Sequence, residues 1–144
     1  MFASSSVCMC VSNNSDLAGK VRALVLCDGS ALSVIKKARD YVHVGWRIAA
    51  NPLYGNFKPN QQPYRTILLY RQDGDGTADI ESLTLIENAL RVFEDAQIVR
   101  VPGEYPAATE KDFRYLDFVL MEETLKTFGV LSGSLSRVTG RDSA

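Results

Sequence analysis

Short apolar runs alternate along this chain with stretches whose apolar residues recur every three or four positions, and that alternation limits the fold more than anything else in it. A continuous run marks a buried strand, while three-and-four spacing draws one stripe down a helix. Val7–Val11 and Val21–Cys27 read as strands; Asp28-Gly29-Ser30 breaks the second and offers an N-cap. Leu32, Ile35, Ala38 and Tyr41/Val42 then predict a helix over about 30–43, ended by Gly45. Trp46–Ala50 and Thr66–Tyr70 are a third and fourth strand. Asp79 caps a second helix striped by Ile80, Leu83, Ile86, Leu90 and Phe93, and Gln97–Val101 reads as a fifth strand. Thr109 and Asp112 resemble a capping box opening a third helix over about 110–127. That helix carries two apolar lines, Phe113/Leu116/Leu120 and Phe118/Met121/Leu125/Phe128, as expected where a helix is buried on two sides or meets a partner chain.

The pattern predicts an α/β layered sandwich, with about five strands in a mostly parallel sheet and about three main helices. One connection strains that reading. About nine residues separate the first two strands, and a parallel crossover normally takes a dozen or more. Either a single helical turn at Asp16–Gly19 bridges them, or the pair is antiparallel and the sheet mixed. At 144 residues the chain suits one domain over 1–144, with 1–5 and the Ser/Gly-rich 130–144 read as frayed tails.

Charge and cysteine usage exclude several function classes. Sixteen basic residues against seventeen acidic ones leave no basic excess for nucleic acid, and no Lys/Arg run forms a patch. No stretch approaches the ~18 apolar residues that cross a bilayer, and the N-terminus lacks a basic n-region, so the expected setting is cytoplasmic. Cys8, Cys10 and Cys27 are too few for a disulfide framework and read as buried thiols; Cys8 and Cys10 share one strand face, and Cys27 ends the neighbouring strand. There is no dinucleotide or P-loop motif, Asp73-Gly-Asp75-Gly76 is a turn rather than a calcium loop, and no cofactor, metal set or catalytic motif stands out.

The candidate site is the rim of the sheet. In open α/β sheets ligands gather beyond the strand carboxyl ends, where loops and helix N-termini converge. Those ends carry Asn13 and Asn14, Asp28, and the segment Asn51–Arg65. Its three prolines and three asparagines cannot sustain a helix or an interior strand, and a loop this long inside a compact domain is often functional. Asn13, Asn14, Asn51, Asn56 and Asn60 offer amides, Lys58 and Arg65 a countercharge for a carboxylate or phosphate, and Tyr54 and Tyr64 a cover. The expectation is that this segment folds back over the strand tips around a polar hollow.

The runs Arg39–Arg47, Asn51–Asn60 and Pro63–Arg65, together with Ser12-Asn13-Asn14, Glu81–Leu83 and Ile86–Ala89, resemble the GrdX family over roughly residues 7–95. The family is named for small proteins encoded with the selenium-dependent glycine, sarcosine and betaine reductases of amino-acid-fermenting anaerobes, and the resemblance implies an accessory rather than a catalytic component. Asn51 and Trp46 stand where the family pattern has histidines, which turns the reading toward binding or scaffolding. Three readings follow. The leading one is an accessory protein binding a small polar or anionic ligand, or a partner protein, through Asn51–Arg65. The second is a small enzyme using Asp28 with Lys58, or a cysteine, at the strand edge. The third is a structural protein that forms a homodimer through the 110–127 helix.

Overall fold

The computed structural model describes residues 7–54, 58–71 and 76–132. Four strands form one sheet in the order β2-β1-β4-β3: β1 (Val7–Ser12), β2 (Leu24–Leu26), β3 (Arg47–Ile48) and β4 (Thr66–Arg71). Only β1 and β2 run parallel; β4 pairs antiparallel with both β1 and β3. The sheet is therefore mixed and four-stranded, not mostly parallel and five-stranded. The short first connection is bridged by a 3-10 turn at Ser15–Leu17, so the helical-turn alternative holds and the first pair is parallel.

The fifth strand predicted at Gln97–Val101 is absent from the described residues. Arg100 N–H meets the Pro59 carbonyl at 3.1 Å, but Pro59 has no N–H to return, so no ladder grows from that contact. Ile98 stays half exposed there.

Three helices cover the two faces: α1 (Ala31–His43), α2 (Ile80–Asp95) and α3 (Ala107–Thr127). Period-two alternation divides the core between them. Met9, Val11, Ile48, Ile67 and Leu69 face α1 and α2, where Val34, Ile35, Ala38, Ile86, Leu90 and Phe93 meet them. Cys10 and Leu68 point the other way, onto Leu17 and onto Met121 and Leu125 of α3.

Helix ends follow local chemistry in α1 and α2 and depart from it in α3. Ser30 caps α1 through the Ser33 N–H. At its far end Gly45 takes φ +108°, while Trp46 N–H bonds the Tyr41 carbonyl and Gly45 N–H the Val42 carbonyl, each at 3.1 Å. That pair of bonds is a Schellman stop, which favours glycine at the turning residue. Asp79 caps α2 as expected, although Ile80 is 79 % exposed and not part of the buried stripe. α3 begins three residues early, behind Pro106, with no side-chain cap, so Thr109 and Asp112 lie inside the helix.

Residues 130–132, placed by the sequence pattern in a frayed tail, are anchored instead. Val130 and Leu131 are buried, Arg22 N–H bonds the Val130 carbonyl, and Ser132 N–H bonds the Lys20 carbonyl.

One polar link ties the edge strand to a helix. Asp79 Oδ2 accepts from both the N–H and the hydroxyl of Ser82, whose Oγ in turn accepts the Ile48 N–H of β3 at 2.9 Å. Ser82→Ala should cost about 1–3 kcal/mol, because it leaves a buried strand N–H without an acceptor. Asp79→Ala should cost about 1 kcal/mol, the usual loss of a cap. Urea denaturation of the two variants checks that order.

Candidate functional site

The sheet ends where Ser12 of β1 faces Thr66 of β4, and everything built around that pair is polar. The two hydroxyls lie 2.8 Å apart. Alternation along the incoming strand sends Tyr64 and Thr66 toward α3 and Arg65 toward α2.

On the α3 side stands Asp117, fully buried. One carboxylate oxygen accepts from Thr66 Oγ1 at 2.7 Å and Asn14 Nδ2 at 3.1 Å; the other accepts from the Tyr54 hydroxyl. Tyr54 in turn accepts the Thr66 N–H at 2.7 Å. Burial pushes the Asp117 carboxyl above its ordinary value, outweighing the three donors and the nearby charge of Arg65. Tyr54 is raised well above its own, first by burial and then by the charge of Asp117.

Two turns back along α3, Glu110 accepts from the Tyr64 hydroxyl and from the Tyr105 N–H. Burial pushes Glu110 up, but those bonds, one from the Gly103 backbone and the charge of Arg114 bring it below its ordinary value. Arg114 holds Asp16 at 3.1 Å and reaches Tyr64 Oη at 3.4 Å.

Asn13 and Asn14 act as braces. Asn13 Nδ2 donates to the carbonyls of Gly29 and Pro63, and its Oδ1 accepts the Arg65 N–H at 2.9 Å. Asn14 Nδ2 donates to the Arg114 carbonyl and to Asp117, and its Oδ1 accepts the Asp16 N–H. The described parts of the mid-chain segment, 51–54 and 58–65, reach the strand tips through Tyr54, Pro63 and Arg65. What lies beneath them is a closed hydrogen-bond network in which both amides are engaged with the chain itself.

Arg65 is buried there rather than presented, at 1 % exposure. Its guanidinium carbon lies 4.8 Å from the Tyr54 ring centroid and 5.4 Å from that of Phe93. Nη1 donates to the carbonyls of Pro52 and Tyr54, at 2.9 and 3.3 Å.

The remaining candidates lie outside that network. Asp28 is exposed in the loop before α1. Asn51 is exposed, its Oδ1 accepting the Leu53 N–H at 2.9 Å. Asn56 lies outside the described residues. Lys58 and Asn60 are exposed and line a cleft of about 510 Å³ with Pro59, Val92, Ala96, Gln97 and Ile98, where the loop meets the end of α2.

Sequence reasoning missed Asp117, Glu110, Arg114, Gln62 and Thr66. A signal for two of them was present, because Glu110 and Asp117 extend the helical line of the buried Met121 and Leu125 toward the N-terminus of α3.

The thiols are disposed as inert groups. Burial pushes Cys10 up to about 12 and raises Cys8 and Cys27, whereas a nucleophilic cysteine needs a lowered value. Cys27 packs on the α1/α2 side of the sheet and Cys10 on the α3 side, so the two do not approach as a pair. No group of three His, Cys, Asp or Glu residues able to hold a metal ion occurs among the described residues. Nor is any described helix long and apolar enough to cross a membrane.

The family model for GrdX-like protein matches residues 9–126. The chain belongs to the GrdX-like family. Comparison with curated proteins and with solved structures found no match for it. The matched span reaches through β1, the mid-chain segment and most of α3, and so includes every residue of the Asp117 network.

A carboxyl raised by the fold stabilises it below the unfolded-state value and loses that contribution as pH rises through the folded-state value. Asp117→Asn should therefore gain stability relative to the parent chain as pH rises across the carboxylate range. Asp117→Ala, which strands the Thr66, Tyr54 and Asn14 donors, should lose about 3 kcal/mol or more at neutral pH. Urea melts from pH 3 upward, on the order of ten points, measure both.

Proposed function

We propose that this chain is a cytoplasmic accessory binding protein of amino-acid reductase metabolism, holding a small carboxylate-bearing ligand in the cleft beside Lys58. The cleft carries the reading. Pro59, Val92, Ala96 and Ile98 give it apolar walls, Asn60 and Gln97 bring amides, and the exposed Lys58 brings a positive charge. Mostly apolar walls with a few convergent polar groups are the usual composition of a small-molecule site. Its volume falls within the ~300–1,000 Å³ typical of such sites. Membership of the GrdX-like family supports the reductase setting, through the resemblance that names it.

Among the described residues, the 58–60 part of the mid-chain segment and the end of α2 form the proposed recognition surface. Lys58→Ala should weaken binding about tenfold, the value of one charge-assisted hydrogen bond, while leaving the unliganded melting temperature unchanged because Lys58 is exposed. A thermal-shift screen of amino acids, betaine and acyl phosphates, followed by calorimetry on the strongest hit with both chains, tests this. A ligand that raises the stability of parent and variant alike would place recognition elsewhere.

A further inference from the structure

Arg65 is a deeply buried cation of the polar rim, and three of its five N–H donors are unused. Nη1 is occupied by the Pro52 and Tyr54 carbonyls, but Nε and Nη2 have no partner and no contact with solvent. Those two nitrogens share one edge of the guanidinium. Their N–H bonds lie parallel, in the spacing that grips the two oxygens of a carboxylate or phosphate. No salt bridge to Arg65 occurs among the described residues, and both oxygens of Asp117 are engaged by Tyr54, Thr66 and Asn14.

Chance placement is a poor account of such an arginine. The rings of Tyr54 and Phe93 fix the plane of the group, and two carbonyls fix its Nη1 end. Buried charged N–H groups left without acceptors are costly, and native chains rarely keep them without an occupant. Orientation, charge and unmet donors all select the same chemistry, an anion with two oxygens on one atom.

We infer that the Nε/Nη2 edge of Arg65 is an oxyanion-binding site, taking the carboxylate or phosphate group of a small ligand in a two-pronged hydrogen-bonded pair. The site is separate from the Lys58 cleft, although α2 serves both, with Phe93 over the guanidinium and Val92 and Ala96 in the cleft wall. The depth of the edge restricts the occupant to a compact group.

The test uses the full chain carrying Lys58→Ala, which weakens the cleft, with acetate in one arm and inorganic phosphate in the other at constant ionic strength. One or both anions should raise the melting temperature in a saturable way and shift the Arg65 Nε–H resonance in NMR spectra. Arg65→Lys keeps the charge but loses the fork, and should weaken binding at least about tenfold. The resonance is read on a chain with Arg65 intact, so it decides the matter even if Arg65→Lys folds poorly. An unmoved Nε–H signal at saturating concentrations of both anions overturns the inference, leaving a bound water as its partner. A response in the parent chain that vanishes with Lys58→Ala keeps the cleft reading and removes this one.

Discussion

A single buried carboxylate holds the rim of this molecule together. Asp117 collects a hydroxyl from β4, an amide from the turn after β1 and a phenol from the mid-chain segment, and it brings α3 to all three. Apolar contact secures only the later turns of that helix, through Met121 and Leu125. Its first half docks through Glu110, Arg114 and Asp117, whose bonds have direction as well as strength. Hydrophobic burial would tolerate a sliding helix; a carboxylate with three fixed donors does not.

That constraint explains why Asn13, Asn14, Tyr54 and Tyr64 are engaged with the chain itself. Sheet ends and loops leave backbone groups that a buried region must satisfy. Asn13 answers for Gly29, Pro63 and Arg65, while Gln62 takes the Tyr64 N–H and the Phe113 carbonyl. The proline-rich segment cannot bond to itself as a strand would, so side chains supply what its backbone lacks. Part of the described segment becomes wall and brace, while Lys58, Pro59 and Asn60 line the cleft against the end of α2.

Arg65 sits between those two roles. It is packed as deeply as a core residue, yet it keeps two charged donors unmatched. A chain needing only volume between Tyr54 and Phe93 would be served by leucine or methionine at lower desolvation cost. The guanidinium there is a chemical choice, and it lacks the carboxylate partner that Arg114 has in Asp16.

What the sequence determined by itself was local. Periodicity gave three helices and four of the strands, because burial on one face writes itself into spacing. Ser30, Asp79 and Gly45 marked helix ends, because caps and left-handed turns depend on a residue and its immediate neighbours. The mid-chain segment was recognisable as the unusual part for the same reason. Tertiary structure decided the direction of β4, the loss of the fifth strand, the anchoring of 130–132, and which polar groups face each other. Asp117 and Glu110 are 51 and 46 residues from the Thr66 and Tyr64 hydroxyls they accept from, and no spacing rule reaches that far. A carboxylate on a helix is an ordinary surface residue until the fold surrounds it with donors and removes the water.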